Sequence, residues 1–585
     1  MLIPVISGIL VRIMKNFLQR NKALLLAALI LSVLFCYPYL FNTEIHVGHD
    51  LLFHLSRIEG LAERIRDFDF FPAVYPYKNN SFGYASSLFY CDFLLLIPAV
   101  LYNCGIALIH CYKILIFLLS FFSCFSMMNL LKRITDRNSI AILAGTAYLF
   151  ANYHISDVFV RCAEGEIAAI VFLPVLLSGL YEILQKRNTR QWPLLTLGLA
   201  GLLLSHNLTF MLAIAVCILL FISYLTRMHK DIFISLCKGC FFAFLLTAFF
   251  TLPMLEQMAD QQFLVSETAK NRDLTDQAMN LWQFFANTTV LGGAGNSGDA
   301  STTMLENVGW FLTFMPLCWL FVKKDIRKEH GFVTRCLILG YCFLIFPSSY
   351  FPWDSMKSLR ILQFPWRLSI IAMVLLCVPA CSALAYMQFS RKKMQKWLVP
   401  ALTVILCMEG AWHLYPVYHS DYTKEDSLSY EELMHYRPLE YWDTWRWSEL
   451  CGGEYLPLSS PNYLTYSTRF KDDKGNDLNI SSERDGTDLY FDIEEKYTDQ
   501  LIELPVTYYK GYEIYLLENG TRTSVSTFAS DNGLVAFNAE KSGSYVCTYQ
   551  HTYIQIGSLA VSVFTLAVLM MMLVRKKKQT ESHTS

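Results

Sequence analysis

The chain has 585 residues, 54% hydrophobic and only 17% charged, which excludes a soluble multidomain protein. Its formal net charge of -1 hides an asymmetry, because residues 416–552 hold 24 of the 49 acids but only 11 of the 48 lysines and arginines. The rest of the chain is therefore basic, and its long apolar blocks separated by short basic loops predict a polytopic membrane protein with no nucleic-acid partner.

Taken in order, Arg12, Lys15, Arg20 and Lys22 precede the first apolar run without a small-residue cleavage site, so residues 1–22 read as a cytoplasmic segment before an uncleaved span. Residues 42–105 form a large first outer loop that opens with HVGHDLLFH. Asp50 and His54 are four apart, and a helix starting near Gly48 puts them on one face as a candidate acid/base pair. Arg57, Glu59, Glu63, Arg64 and Arg66 alternate with an apolar stripe, which predicts an amphipathic helix lying along the membrane. A solvated surface helix capped by Asp50 fits the same spacing.

Twelve apolar blocks are candidate spans, near residues 23–41, 107–131, 139–152, 167–184, 192–206, 208–225, 232–251, 308–322, 332–347, 367–387, 397–415 and 553–574. Basic clusters at residues 132–137, 186–190, 227–230, 323–328, 391–396 and 575–578 assign those loops to the cytoplasm, and both termini with them. Counting residues 87–102 as a further span reverses every later loop, so that block is expected to stay at the outer interface.

With this parity each unusual polar cluster faces outward. In RCAEGE, Arg161, Glu164 and Glu166 stand at the mouth of a helix, where acids either suit the helix dipole or join Arg161 in holding a phosphate and a sugar hydroxyl. LLSHNLT puts His206 between two apolar blocks, where a turn needs polar residues in any case, so the turn reading leads over a role in the site. Glu256 lies at the same level, and SLRILQFPWR places Arg360 and Arg367 seven apart as a candidate phosphate clamp or a pair of snorkelling anchors. Residues 416–552 change texture to short alternating runs such as LYFDI and SYVCTYQ, broken by Asn519-Gly520 and Asn532-Gly533, which predicts a small extracytoplasmic β-rich domain ahead of the last span. Cys451 and Cys547, its two cysteines, allow a disulfide.

No Walker loop, GxGxxG turn, GxSxG elbow or HExxH is present in a plausible context. His46, His49, Asp50 and His54 lack a distant fourth acid, so no cofactor is expected, a divalent metal staying an open alternative.

The segments GHDLLFHLSRIEGLAE, RCAEGEIAAIVFLPVLL, LLSHNLT, LQFPWR, GGEYLP and ELPVTYYKGYEIYL together resemble the GT-C superfamily of integral membrane glycosyltransferases, and more closely the bacterial YfhO-like and PTPS-related group. The resemblance implies a GT-C-like transmembrane module over residues 23–415, an outward cavity, a polyprenyl-phosphate-linked sugar donor and a glycan, lipid or protein acceptor. It also implies that Asp50, the first-loop acid, is the base. His54 or His49 would then orient Asp50, while Arg57, Arg161, Glu164, Glu166, His206, Glu256, Arg360 and Arg367 would line the donor and acceptor sites. A lipid or polysaccharide transporter or flippase, or a glycan-binding scaffold, also accommodates a charged cavity between helices.

Overall fold

The computed structural model describes residues 2–271, 273–289, 304–388, 392–418, 427–428, 450, 453–463 and 465–582. Among the described residues six helices have the length and apolarity to cross a membrane, at Leu18–Phe35, Leu108–Thr135, Glu164–Gln185, Lys230–Asp260, Pro365–Tyr386 and Tyr553–Met572. Shorter helices at Asn138–Leu149, Trp192–Leu203, Asn207–Ser223, Trp310–Phe321 and Gly331–Ile345, and the 22-residue helix Lys392–His413, account for the remaining apolar blocks. A 12-residue helix such as Asn138–Leu149 is about 18 Å long, short of a hydrocarbon core of about 30 Å, so it ends inside the protein. The first helix begins at Leu2, so residue 22 is not a break in it.

Burial ranks these helices from centre to edge. Every residue from Ser369 to Ala385 is buried, as a helix apolar on all faces must be. Lys230–Asp260 and Tyr553–Met572 lie at the periphery and pack on each other, where Ser562 Oγ accepts from Phe249 N and donates to Leu245 O, both at 3.0 Å.

The C-terminal β-rich domain is a pair of antiparallel five-stranded sheets. One sheet orders Thr527–Ala529, Leu534–Ala539, Gln500–Thr507, Phe470–Lys471 and Asp477–Leu478; the other orders Ser482–Asp485, Asp488–Ile493, Gly543–Tyr549, Tyr512–Glu518 and Thr521–Val525. Alternating inward residues meet as the ring cluster Phe491, Phe537 and Tyr545. Asn519 and Gly520 both take positive φ, 49° and 78°, the two-residue hairpin turn that matches strand twist. Cys547 is buried in the second sheet, and Cys451 lies outside the described residues.

This domain shares its core with the first loop. Val74, Leu88 and Phe89 pack with Leu504, Tyr509 and Ile514, and Thr507 N donates to Phe82 O at 2.7 Å. A two-residue ladder pairs Ile45 with Leu428 and His46 with Ser427.

The helix Leu51–Arg66 consequently differs from the membrane-surface or solvated helix its pattern suggests. His54, Arg57 and Glu59 are only 1%, 1% and 8% exposed. The turn between Tyr75 and Tyr84 covers the charged side, with Lys78 Nζ 2.7 Å from Glu59 and the Tyr75 ring packed against Gly60. The block at 87–102 forms short helical turns ending in Leu96–Asn103, eight residues and about 12 Å, too short to span.

Candidate active site

HVGHD meets RCAEGE through the backbone. His49 N donates to Val160 O at 3.1 Å and Asp50 N to Arg161 O at 2.8 Å. The approach requires glycine at position 48, since a Cβ there would stand 2.5 Å from Cys162 Sγ and 2.6 Å from Val160 O. Lys113, buried in the neighbouring span, donates to the carbonyls of Asn42, Thr43 and Glu44 and fixes the loop just upstream. Asp50 thereby arrives at the N-terminus of Leu51–Arg66, half-buried and making no side-chain cap. Its carboxylate makes no hydrogen bond or ion pair with any described residue.

Two linked charge clusters surround it. In the first, Glu166 Oε1 accepts from Arg161 Nη2 and Arg367 Nε, both at 2.8 Å, while Tyr153 donates to Oε2 at 2.9 Å. Arg161 Nη1 also contacts Asp157 Oδ1 at 2.5 Å, and Trp366 stacks beneath the guanidinium. Burial and the nearby Glu166 charge push the Asp157 carboxyl well above the usual carboxylate range. Two guanidiniums thus converge on Glu166, with Asp157 beside one of them. Arg161 Nε and Arg367 Nη2 remain without a hydrogen bond to a described residue.

In the second cluster Arg57 Nε bonds Asp92 Oδ1 at 2.8 Å, Tyr75 donates to the other Asp92 oxygen, and Glu164 lies 3.7 Å from Arg57 Nη1. Arg57 also stacks on Tyr90 and donates to the carbonyls of Tyr90 and Cys91. Tyr90 in turn packs on Gly165, where a Cβ would fall 1.8 Å from its hydroxyl, so only glycine lets the two clusters close on each other.

Burial is the largest influence on Asp50 and pushes its carboxyl up; Glu166 adds to this, while Arg161, His49 and Arg367 oppose it. His49 lies beside Asp50 with part of its surface in solvent; the loss of water around the rest of its ring lowers its imidazole, Asp50 opposing and Arg161 adding to the effect.

Several sequence expectations change. His54 does not face Asp50: its Nδ1 lies 3.1 Å from Arg57 Nη1 and 3.8 Å from Glu164, and burial with Arg57 keeps it neutral. Arg360 does not join Arg367; its Nη1 donates to Lys270 O at 2.6 Å. Glu256 sits at the β-domain junction, accepting from Thr552 Oγ1 at 2.6 Å. His206 caps Asn207–Ser223 by accepting from Thr209 N at 3.3 Å, with its ring against Tyr90. The structure brings Asp50, Arg57, Arg161, Glu164, Glu166 and Arg367 together, and adds Asp92, Asp157, Tyr75, Tyr90 and Tyr153. Asp157 was detectable as an i,i+4 partner of Arg161. Glu306 also faces Arg161, is bonded by Gln283 Nε2 at 2.9 Å, and is pushed up to about 8 by burial; nothing local in the sequence marks it. Among the described residues no group of three or more His, Cys, Asp or Glu side chains is arranged to hold a metal ion.

Fold and site together define a polytopic membrane protein whose charged centre lies where its first loop meets the helical body. No family model matches the chain. It is 23% identical over 273 residues to an uncharacterized protein of Lactococcus lactis subsp. cremoris, covering 44% of each chain. Among solved structures it is similar to the arabinofuranosyltransferase AftD from Mycobacteria, with 12% identity and a TM-score of 0.44 over 68% of this chain and 27% of that one. The chain thus spans less than half the length of either protein.

Proposed function

We propose that the protein is a membrane glycosyltransferase moving a sugar from a polyprenyl-phosphate-linked donor to an extracytoplasmic glycan, lipid or protein acceptor, with both termini cytoplasmic. The observation that carries this reading is the partly accessible Asp50 carboxylate near two guanidiniums, the carboxylate and one donor on each guanidinium having no partner among the described residues. The motif resemblance supports it, and the basic loops support the orientation.

In this mechanism Asp50 accepts the proton of the acceptor hydroxyl as its oxygen attacks the anomeric carbon. The bond from that carbon to the phosphate oxygen breaks, and the electron pair leaves with the phosphate. Arg161 Nε and Arg367 Nη2 stabilise the growing charge from positions fixed by Glu166, with no reorganisation at the moment of transfer. Burial raises the proton affinity of Asp50 and strengthens it as a base. Arg57, saturated by Asp92, Glu164 and two carbonyls, holds the loop rather than the donor.

Asp50→Asn keeps the size and removes the proton acceptor, so transfer in a reconstituted assay falls by about two orders of magnitude or more while the protein inserts and melts normally. Unchanged transfer by this variant would refute the assignment, and unchanged transfer together with lost lipid flux would favour a transporter.

A further inference from the structure

The far end of Leu51–Arg66 carries a second cavity that the transfer chemistry does not use. A groove of about 330 Å³ runs between the loop at Phe68–Pro72 and the two peripheral helices, walled by Phe93, Phe249, Phe250, Pro253, Ile556 and Leu559. From the helix start at Tyr553 to Leu559 it descends about 9 Å, within the roughly 15 Å of one leaflet. At least two-thirds of the residues in the apolar windows of the helices beside it are not buried, so the groove opens onto lipid.

At its upper end the groove merges with a polar pocket of about 360 Å³, the two sharing Phe68, Asp69, Ala73 and His551. Arg64, Asp67, Val74, Thr487 and Tyr549 complete that pocket. Arg64 gathers Asp67 at 3.0 Å and Asp69 at 3.3 Å, yet its Nε has no acceptor. Phe68 holds a positive φ of 62° between these acids and is 85% exposed, an aromatic lip at headgroup level. Fourteen residues of helix separate Arg64 from Asp50, about 21 Å, too far for a molecule bound here to react there.

We infer that this cavity binds a glycolipid, its alkyl chain along Phe249, Pro253 and Leu559 and its uncharged glycosyl head among Asp67, Asp69 and His551. Charge complementarity selects the head. Two carboxylates against one guanidinium repel a phosphate-only headgroup but accept hydroxyl donors in fixed positions, and the pocket has the volume for a hexose. The apolar groove alone would take any lipid tail. This inference rests on the peripheral helices being spans and not on the transfer reaction.

Native mass spectrometry of the purified full chain tests it, with dihexosyl-diacylglycerol, phosphatidylglycerol and phosphatidylethanolamine as competing probes. The dihexosyl lipid is retained at least about tenfold over the other two, and Asp67→Asn with Asp69→Asn lowers its retention about tenfold by removing charge-assisted acceptors. Leu559→Trp fills the groove and abolishes the adduct; Phe249→Leu, which trims its wall, weakens it and serves if the first variant fails to insert. Asp50→Asn binds the glycolipid like the parent protein, so a failure of this site is separable from a failure of the proposed reaction. Preference for either phospholipid, or an adduct that survives both groove variants, overturns the inference.

Discussion

Replacing Gly48 with alanine tests whether the contact between the first and second loops sets the position of Asp50. The new Cβ would stand 2.6 Å from Val160 O, and reaching ordinary contact at 3.4 Å requires the two loop segments to part by about 0.8 Å. The bonds His49 N to Val160 O and Asp50 N to Arg161 O, 3.1 and 2.8 Å long, then stretch past useful geometry. Losing two such bonds costs about 1 kcal/mol each, and overpacking at a buried backbone adds about 1–3 kcal/mol. Activity should fall further than stability, because a displacement near 1 Å at a reacting group costs about a hundredfold. Thermal melting of the purified chain and a lipid-linked transfer assay measure the two effects. Gly557→Ala is the control: a Cβ there meets nothing within 4 Å, so its change should stay within about 0.5 kcal/mol. If Gly48→Ala matches that control in both assays, the close approach does not position Asp50.

Glu166→Gln leaves the guanidiniums of Arg161 and Arg367 buried against each other, and should destabilise by about 3–5 kcal/mol, read as a lowered Tm. Because burial raises Asp50 and the base must be ionised, the acid limb of kcat/KM should fall above the pH of an ordinary aspartate; a limb near pH 4 would contradict this. Glu306 is raised from 4.5 to about 8, so the stability from its neutral form is whole below about pH 4.5 and lost as pH rises through about 8. Glu306→Gln should therefore gain on the parent protein in Tm between pH 6 and 9, and parallel curves would reject the assignment.

The apolar blocks and β-turns were legible because their signals are local. Each helix answers to its own hydrophobic run, and Asn519-Gly520 specifies its turn without help. The site was legible only where partners are near in sequence, as with Arg161 and Glu166. Glu166 also pairs with Arg367 across 201 positions, which no spacing encodes. Spacing misled at Arg360 and Arg367 because Gln363 between them has φ 64°, a left-handed turn that breaks any shared helical face. It misled at His54 because Arg57, one turn on, stands nearer to the imidazole than Asp50 does once Asp92 and Tyr90 fix its guanidinium. The alternating strands announced a sheet pair, but nothing in their pattern shows that Val74 and Phe89 complete its core.

The small ladder between Ile45–His46 and Ser427–Leu428 joins segments about 380 residues apart in the chain. At synthesis rates of roughly 5–20 residues per second, the first of these waits about 20–80 s for the second to emerge. Throughout that interval the helical body can insert and Arg161 can find Glu166, yet the loop carrying Asp50 lacks its second edge. The latch on that loop therefore closes only after residue 428 has been made, later than the insertion of the helices that precede it. A ribosome stalled before residue 427 leaves a chain that holds every arginine of the centre and an unlatched Asp50.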